Sequence, residues 1–203
     1  MKGAGLGAWR WVVLAMVGAA AIGLSGCASG AAASSPGATV PDTTVPGGDP
    51  FAVPAHITVP YVQRVLNALD AVDEGTTKLA MQDRTLDAAV AARLHATYSD
   101  AEFPIETQLI LTDIADSFAP YKSDPGPVRD SVIRVVSSSS SCVFVAVDRD
   151  YSLVSSNPPS PHTSYLELVR PATAVDPTIN GTGWQLGTEG YRPDGSVPAD
   201  PCA

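Results

Sequence analysis

The stretch Val128-Arg129-Asp130-Ser131-Val132-Ile133-Arg134-Val135-Val136-Ser137-Ser138-Ser139-Ser140-Ser141-Cys142-Val143-Phe144-Val145-Ala146-Val147-Asp148-Arg149 decides the fold. Two runs rich in β-branched residues, Val128 to Val136 and Cys142 to Arg149, flank a serine run from Ser137 to Ser141, which predicts a β-hairpin with a polar turn. In the second run Val143, Val145 and Val147 share one face, while Cys142, Phe144 and Ala146 share the other. With apolar side chains on both faces this strand belongs at the centre of a sheet. Downstream, Tyr165 to Arg170 and Gly183 to Tyr191 read as a third and a fourth strand, the last closing in the turn Arg192-Pro193-Asp194-Gly195.

Upstream of Val128 the apolar period is helical rather than two. Thr58 is a natural N-cap and Pro60 is tolerated in a first turn. Val62, Val65, Leu66, Leu69 and Val72 then recur at helical spacing up to Gly75, where the helix is expected to stop, with Lys78 to Gln82 as a further turn. Thr85 is expected to cap a second helix with Leu86, Val90, Leu94 and Tyr98 on one face. Ile105 to Phe118 reads as a third, with Ile105, Leu109, Thr112 and Ile114 or Ala115 inward. Pro120, Pro125, Gly126 and Pro127 end the helical half. Helices first and an antiparallel sheet second give an α+β class, with N-terminal helices packed on a curved antiparallel sheet in a single domain over residues 56–203.

This order of elements, with Trp184 near the start of the closing strand, resembles the NTF2-like superfamily, a cone of helices against a curved sheet. The resemblance covers roughly residues 58–191 and rests on element order. It implies an interior pocket, with ligand binding or isomerase- or dehydratase-like chemistry as its usual uses. One departure is visible: that fold usually carries an early hairpin between its helices, and only Ser99 to Pro104 is available for it here.

The N-terminus supplies an address. Lys2 and Arg10 precede an unbroken apolar run from Trp11 to Leu24, the length of a signal-peptide core and too short to span a bilayer. The run ends in Leu24-Ser25-Gly26-Cys27, which resembles the lipobox of bacterial lipoproteins: an aliphatic residue, two small ones, then the modified cysteine. That resemblance implies removal of residues 1–26, a diacylglyceryl group on the Cys27 sulfur, acyl chains such as palmitate, and anchorage to the outer side of the cell membrane. The whole chain resembles actinobacterial lipoproteins that join a tether to a small α+β domain. Residues 27–55, which after Cys27 are almost entirely Ala, Ser, Gly, Thr, Val and Pro with no Lys or Arg, predict a disordered tether reaching roughly 30 Å or more.

With Cys27 lipidated, Cys142 and Cys202 remain as an even pair in an oxidising compartment, so a disulfide between them is expected. A bridge closing this loop of about 61 residues is worth up to about 4 kcal/mol through unfolded-chain entropy. It would tie down the C-terminal tail.

Composition sets further limits. The 203 residues carry a formal charge of -9, with 45% hydrophobic and 16% charged residues. That excludes a wholly disordered chain, a polytopic membrane protein and a basic nucleic-acid binder. The acids are dispersed, which reads as solubility.

The candidate pocket residues are Asp148, Tyr165, Glu167 and Trp184, with Asp150 and Tyr151 beside them, because a carboxyl and a hydrogen-bonding partner inside a cone can do acid–base work. Asp148, Arg149, Asp150 and Tyr151 equally fit solvated charges where a strand gives way to a loop, and Glu167 fits a cross-strand pair with Arg134 or Arg149. His56, His95 and His162 are scattered without metal-ligand spacing, so no metal site is assigned and no cofactor is implied. There is no Gly-x-Ser-x-Gly elbow, Ser-x-x-Lys pair or phosphate-binding glycine loop. Asn180-Gly181-Thr182 reads as a turn. The residues therefore point to a non-catalytic, lipid-anchored module that binds an envelope protein, with a small-ligand pocket or isomerase-like enzyme as the alternative.

Overall fold

The computed structural model describes residues 48–192 and 194–203, so the signal, lipidation and most of the tether readings lie outside the described residues. Three helices, α1 (Val59–Asp83), α2 (Ala88–Thr97) and α3 (Phe103–Ala115), precede four strands, β1 (Arg129–Ser138), β2 (Cys142–Asp150), β3 (His162–Val169) and β4 (Gln185–Gly190). The strands pair antiparallel in the order β1-β2-β3-β4, an open meander, which makes the class α+β. Among the described residues, no helix is long and apolar enough to cross a membrane.

The hydroxyl of Thr58 accepts from the Tyr61 amide as N-cap of α1, and Pro60 sits in the first turn. The helix does not stop at Gly75. It runs to Asp83 and ends at Arg84, which takes the left-handed conformation. A mid-helix glycine costs about 1 kcal/mol relative to alanine. That cost is outweighed here because Thr76, Thr77 and Ala80 are buried beyond it. α2 is capped by Asp87 rather than Thr85: its carboxylate accepts from the Val90 amide at 2.9 Å.

α3 turns a different face inward from the one its apolar residues predict. Glu106, Ile110 and Asp113 are buried, whereas Ile105 is 53% exposed. The inward face of this helix is thus partly acidic, which an apolar-stripe argument cannot detect.

The core lies between α1, α2 and one face of the sheet, where Val143, Val145 and Val147 of β2 and Leu166 and Leu168 of β3 meet Val62, Val65, Leu66 and Leu69. Trp184, fully buried, donates from Nε1 to the Tyr61 hydroxyl at 2.7 Å, and that hydroxyl donates to the Phe51 carbonyl. Phe51 and Val53 pack against this core, so the packed domain begins several residues ahead of His56. Buried Asn180 donates to the carbonyls of Ala96 and Trp184, joining the end of α2 to the start of β4.

The opposite face of the sheet carries Phe144, Ala146 and Tyr165, with Val136 of β1 and Cys202 of the tail packed against them. Cys142 and Cys202 are joined by a disulfide with their Cα atoms 5.6 Å apart. With the Ser137 hydroxyl donating to Asp200, it fixes the tail across that face. The first residues of the serine run, Ser137 and Ser138, belong to β1, leaving a shorter turn than its composition predicts.

Candidate functional site

A cavity of about 680 Å³ opens between the helices and one end of the sheet. The antiparallel order brings Arg149 and Tyr151 at the end of β2, His162 at the start of β3 and Glu189 at the end of β4 to this end. α1 contributes Asp70, Asp73 and Thr77 to the wall, and α3 contributes Glu106 and Leu109 with Glu102 at its N-cap.

Arg149 organises the charges. It continues the alternation of Val143, Val145 and Val147, so its side chain extends from the helix-facing side of β2. Its Nε donates to Oδ1 of Asp130 at 2.9 Å, and its Nη1 donates to Oε2 of Glu189 in a very short contact. Burial opposes its charge, but Glu189, Tyr151, Asp130 and Asp70 outweigh burial and raise its pKa well above the ordinary arginine value. The ring of Tyr151 lies under the guanidinium at 5.5 Å.

Asp70 is 5% exposed, lines the cavity and is hydrogen-bonded to no described residue. Burial pushes its pKa well up; the charge of Asp130 adds to this and Arg149 opposes it. Burial raises the Asp130 carboxyl too, against the pull of Arg149. Asp130 holds the guanidinium directly and Asp70 does not, so the upward push is the stronger at Asp70. Asp70 thus presents to the cavity a carboxyl whose charged form is disfavoured.

Tyrosines fill the gaps between the acids. The Tyr98 hydroxyl donates to Asp73 at 2.8 Å and the Tyr121 hydroxyl donates to Asp113 at 2.9 Å. The rings of Tyr151 and His162 are stacked 6.2 Å apart, and Tyr191 meets His162 edge-on at 5.0 Å.

None of the four pocket candidates read from the sequence lines this cavity. Asp148 and Tyr165 lie on the tail-covered side of the sheet, where Asp148 accepts from the Thr163 hydroxyl at 2.8 Å and Tyr165 packs on Phe144. Glu167 forms no ion pair with Arg134 or Arg149. Its Oε2 accepts from the Thr188 amide at 3.1 Å, and the side chain lies against Gly187. Trp184 is core. Asp150 accepts from the amide and hydroxyl of Ser152, which lower its pKa.

Of the Asp148–Tyr151 group, Arg149 and Tyr151 reach the cavity, and Arg149 is buried rather than solvated. The residues that build the site were detectable only as acids on apolar stripes: Asp70 lies one turn beyond Leu66, and Asp73 one turn beyond Leu69. Among the described residues, no group of three or more His, Cys, Asp or Glu is placed to hold a metal ion. In comparison with known proteins, no family model, no curated protein and no solved structure matches this chain, so its site is read from its own geometry.

Proposed function

We propose that this chain is a lipid-anchored protein of the cell envelope, held at the outer side of the membrane through Cys27, whose α+β domain binds a small molecule in the cavity between its helices and sheet. The observation that carries the reading is Asp70: a residue almost entirely buried that lines the cavity and is hydrogen-bonded to no described residue. A carboxyl placed in this way can hydrogen-bond a ligand that enters the cavity. The cavity volume falls in the range of small-molecule sites, roughly 300–1,000 Å³. Its wall also combines apolar surface at Leu109, Leu166 and Leu186 with a few convergent polar groups.

An NTF2-like cone is the finer form of the fold within this proposal, supported by helices that precede a four-stranded antiparallel meander. The early hairpin of that fold has here only a bridge between Tyr98 and Leu186 in its place. The protein-docking alternative has less behind it, because among the described residues the exposed large apolar side chains number five, and Val59, Ile133 and Val197 of these lie on α1, on β1 and in the C-terminal tail.

The test is a fragment screen by ligand-observed NMR on the full chain in detergent micelles, with hits mapped by amide shifts. Fragments that shift Thr77, Leu109 and Leu186 support the reading. A screen in which no fragment perturbs these residues contradicts it.

A further inference from the structure

Charge around the cavity is lopsided. Carboxyl groups enter its wall from three of the elements that build it: Asp70, Asp73 and Glu74 from α1, Glu106 from α3 with Glu102 at its N-cap, and Glu189 from β4. Arg149 and Arg192 stand against them. Arg149 is already committed to Asp130 and Glu189, and Glu74 is held by Lys78 at 2.8 Å. Asp73 accepts from the Tyr98 hydroxyl, a neutral donor. Neither Asp73 nor Glu102 has a Lys or Arg within ion-pair distance among the described residues. Asp70, 5% exposed and hydrogen-bonded to no described residue, faces the same space.

The other side of the wall is aromatic. Tyr98, Tyr121, Tyr151 and Tyr191 all line the cavity. Tyrosine faces attract cations through the ring quadrupole, and more strongly where water is excluded. An anionic ligand would meet carboxylates from three sides, with exposed Arg192 as the lining cation outside an ion pair among the described residues. A bare metal ion would need a tight ligand cluster, and the described residues hold none. The charges are arranged around a body larger than an ion.

We propose that the cavity takes a small organic cation, an amine or quaternary ammonium whose charged head lies among Asp73, Glu102 and the tyrosine rings and whose apolar part rests on Leu109 and Leu166. This rests on the reading of the cavity as a ligand site, and deepens it by naming the class of ligand.

The experiment titrates the full chain in micelles with three probes of matched size, followed by amide NMR: benzyltrimethylammonium, its neutral carbon isostere neopentylbenzene, and phenylacetate. The expected result is binding of the cation roughly tenfold tighter than the neutral isostere, with phenylacetate weakest. Asp73→Asn and Glu102→Gln should each weaken the cation several-fold and leave neopentylbenzene unchanged. Neutral isostere or anion bound as tightly as the cation overturns the inference while leaving the ligand site standing. Cation-induced shifts scattered over the acidic surface and indifferent to both substitutions overturn it as well. Failure of all three probes to shift any cavity residue removes the inference and counts against the ligand site itself.

Discussion

Arg149 donates from Nε to Oδ1 of Asp130 at 2.9 Å, and both side chains are buried where the end of the central strand meets the cavity. The pair spans the β1–β2 ladder next to its backbone register, in which Asp130 faces Arg149 directly. Taking two charges out of water is costly, and the arrangement holds only because each supplies what the other lacks. Oδ2 of Asp130 has no hydrogen-bond partner among the described residues, so this carboxylate depends on Arg149 more than most.

Removing one partner should therefore be severe. Arg149→Ala leaves Asp130 buried and unpaired, and a loss of about 3–5 kcal/mol in urea unfolding is expected. Glu189→Gln, at the more exposed end of the same network, should cost no more than about 1 kcal/mol. Equal losses from the two substitutions would contradict the assignment of Asp130 as the structural partner.

Asp70 predicts a pH dependence. Its folded pKa lies above the unfolded value because burial, and then the charge of Asp130, disfavour the carboxylate, with Asp73 adding to this and Arg149 opposing it. Sites of this sign contribute fully below the pKa of an unfolded aspartate, about 3.9, and the contribution is lost as pH rises through the folded value. Asp70→Asn keeps a neutral side chain of the same shape at every pH. Parent and variant should have similar stabilities near about pH 4 and separate as pH rises, with the variant the more stable at about pH 8. A parent that gains stability on Asp70→Asn equally at both ends would show that Asp70 does not titrate abnormally.

Gly187 tests the packing of Glu167. A Cβ built at Gly187 would come 2.5 Å from Oε2 and 2.9 Å from Cγ and Cδ of Glu167. Gly187→Ala should destabilise by about 1–3 kcal/mol, the usual cost of overpacking. Adding Glu167→Ala should recover most of that loss in a double-mutant cycle. Additive losses would place Glu167 away from β4.

The disulfide ties the tail that carries Pro198 and Ala199 to the cavity wall. Cys202→Ala should lower stability by about 2–4 kcal/mol. It should also raise hydrogen exchange over residues 196–203 relative to β2. A tail that stays protected without the bridge would show that the Ser137–Asp200 bond and packing on Tyr165 suffice.

Much of the architecture was legible in the residues. The switch of apolar period near Val128, the two-faced burial of β2 and the even cysteine pair each follow from local pattern. The helix boundaries were less so: tertiary packing of Thr76, Thr77 and Ala80 carries α1 through Gly75 against its propensity. The site was the least legible part. Apolar periodicity finds buried faces by their hydrophobic residues, and here the buried faces of α1 and α3 place Asp70, Glu106 and Asp113 inward. A carboxyl on an apolar stripe is a local inconsistency, and such inconsistencies gather where a protein binds or reacts. Tyr165 and Glu167 share a strand face as their alternation implies, but periodicity alone does not say which side of the sheet the helices cover.

The central claim is that the cavity itself takes the ligand, and filling it tests that most directly. Leu109, half-buried on α3, lines the cavity, so Leu109→Trp should project an indole into it. The measurement is the same NMR fragment screen run in parallel on the full chain and on this variant. The account predicts fragments that bind the parent, shift Thr77 and Leu186, and fail to bind the folded variant. Fragments that bind both proteins alike, or none that bind the parent, would contradict it.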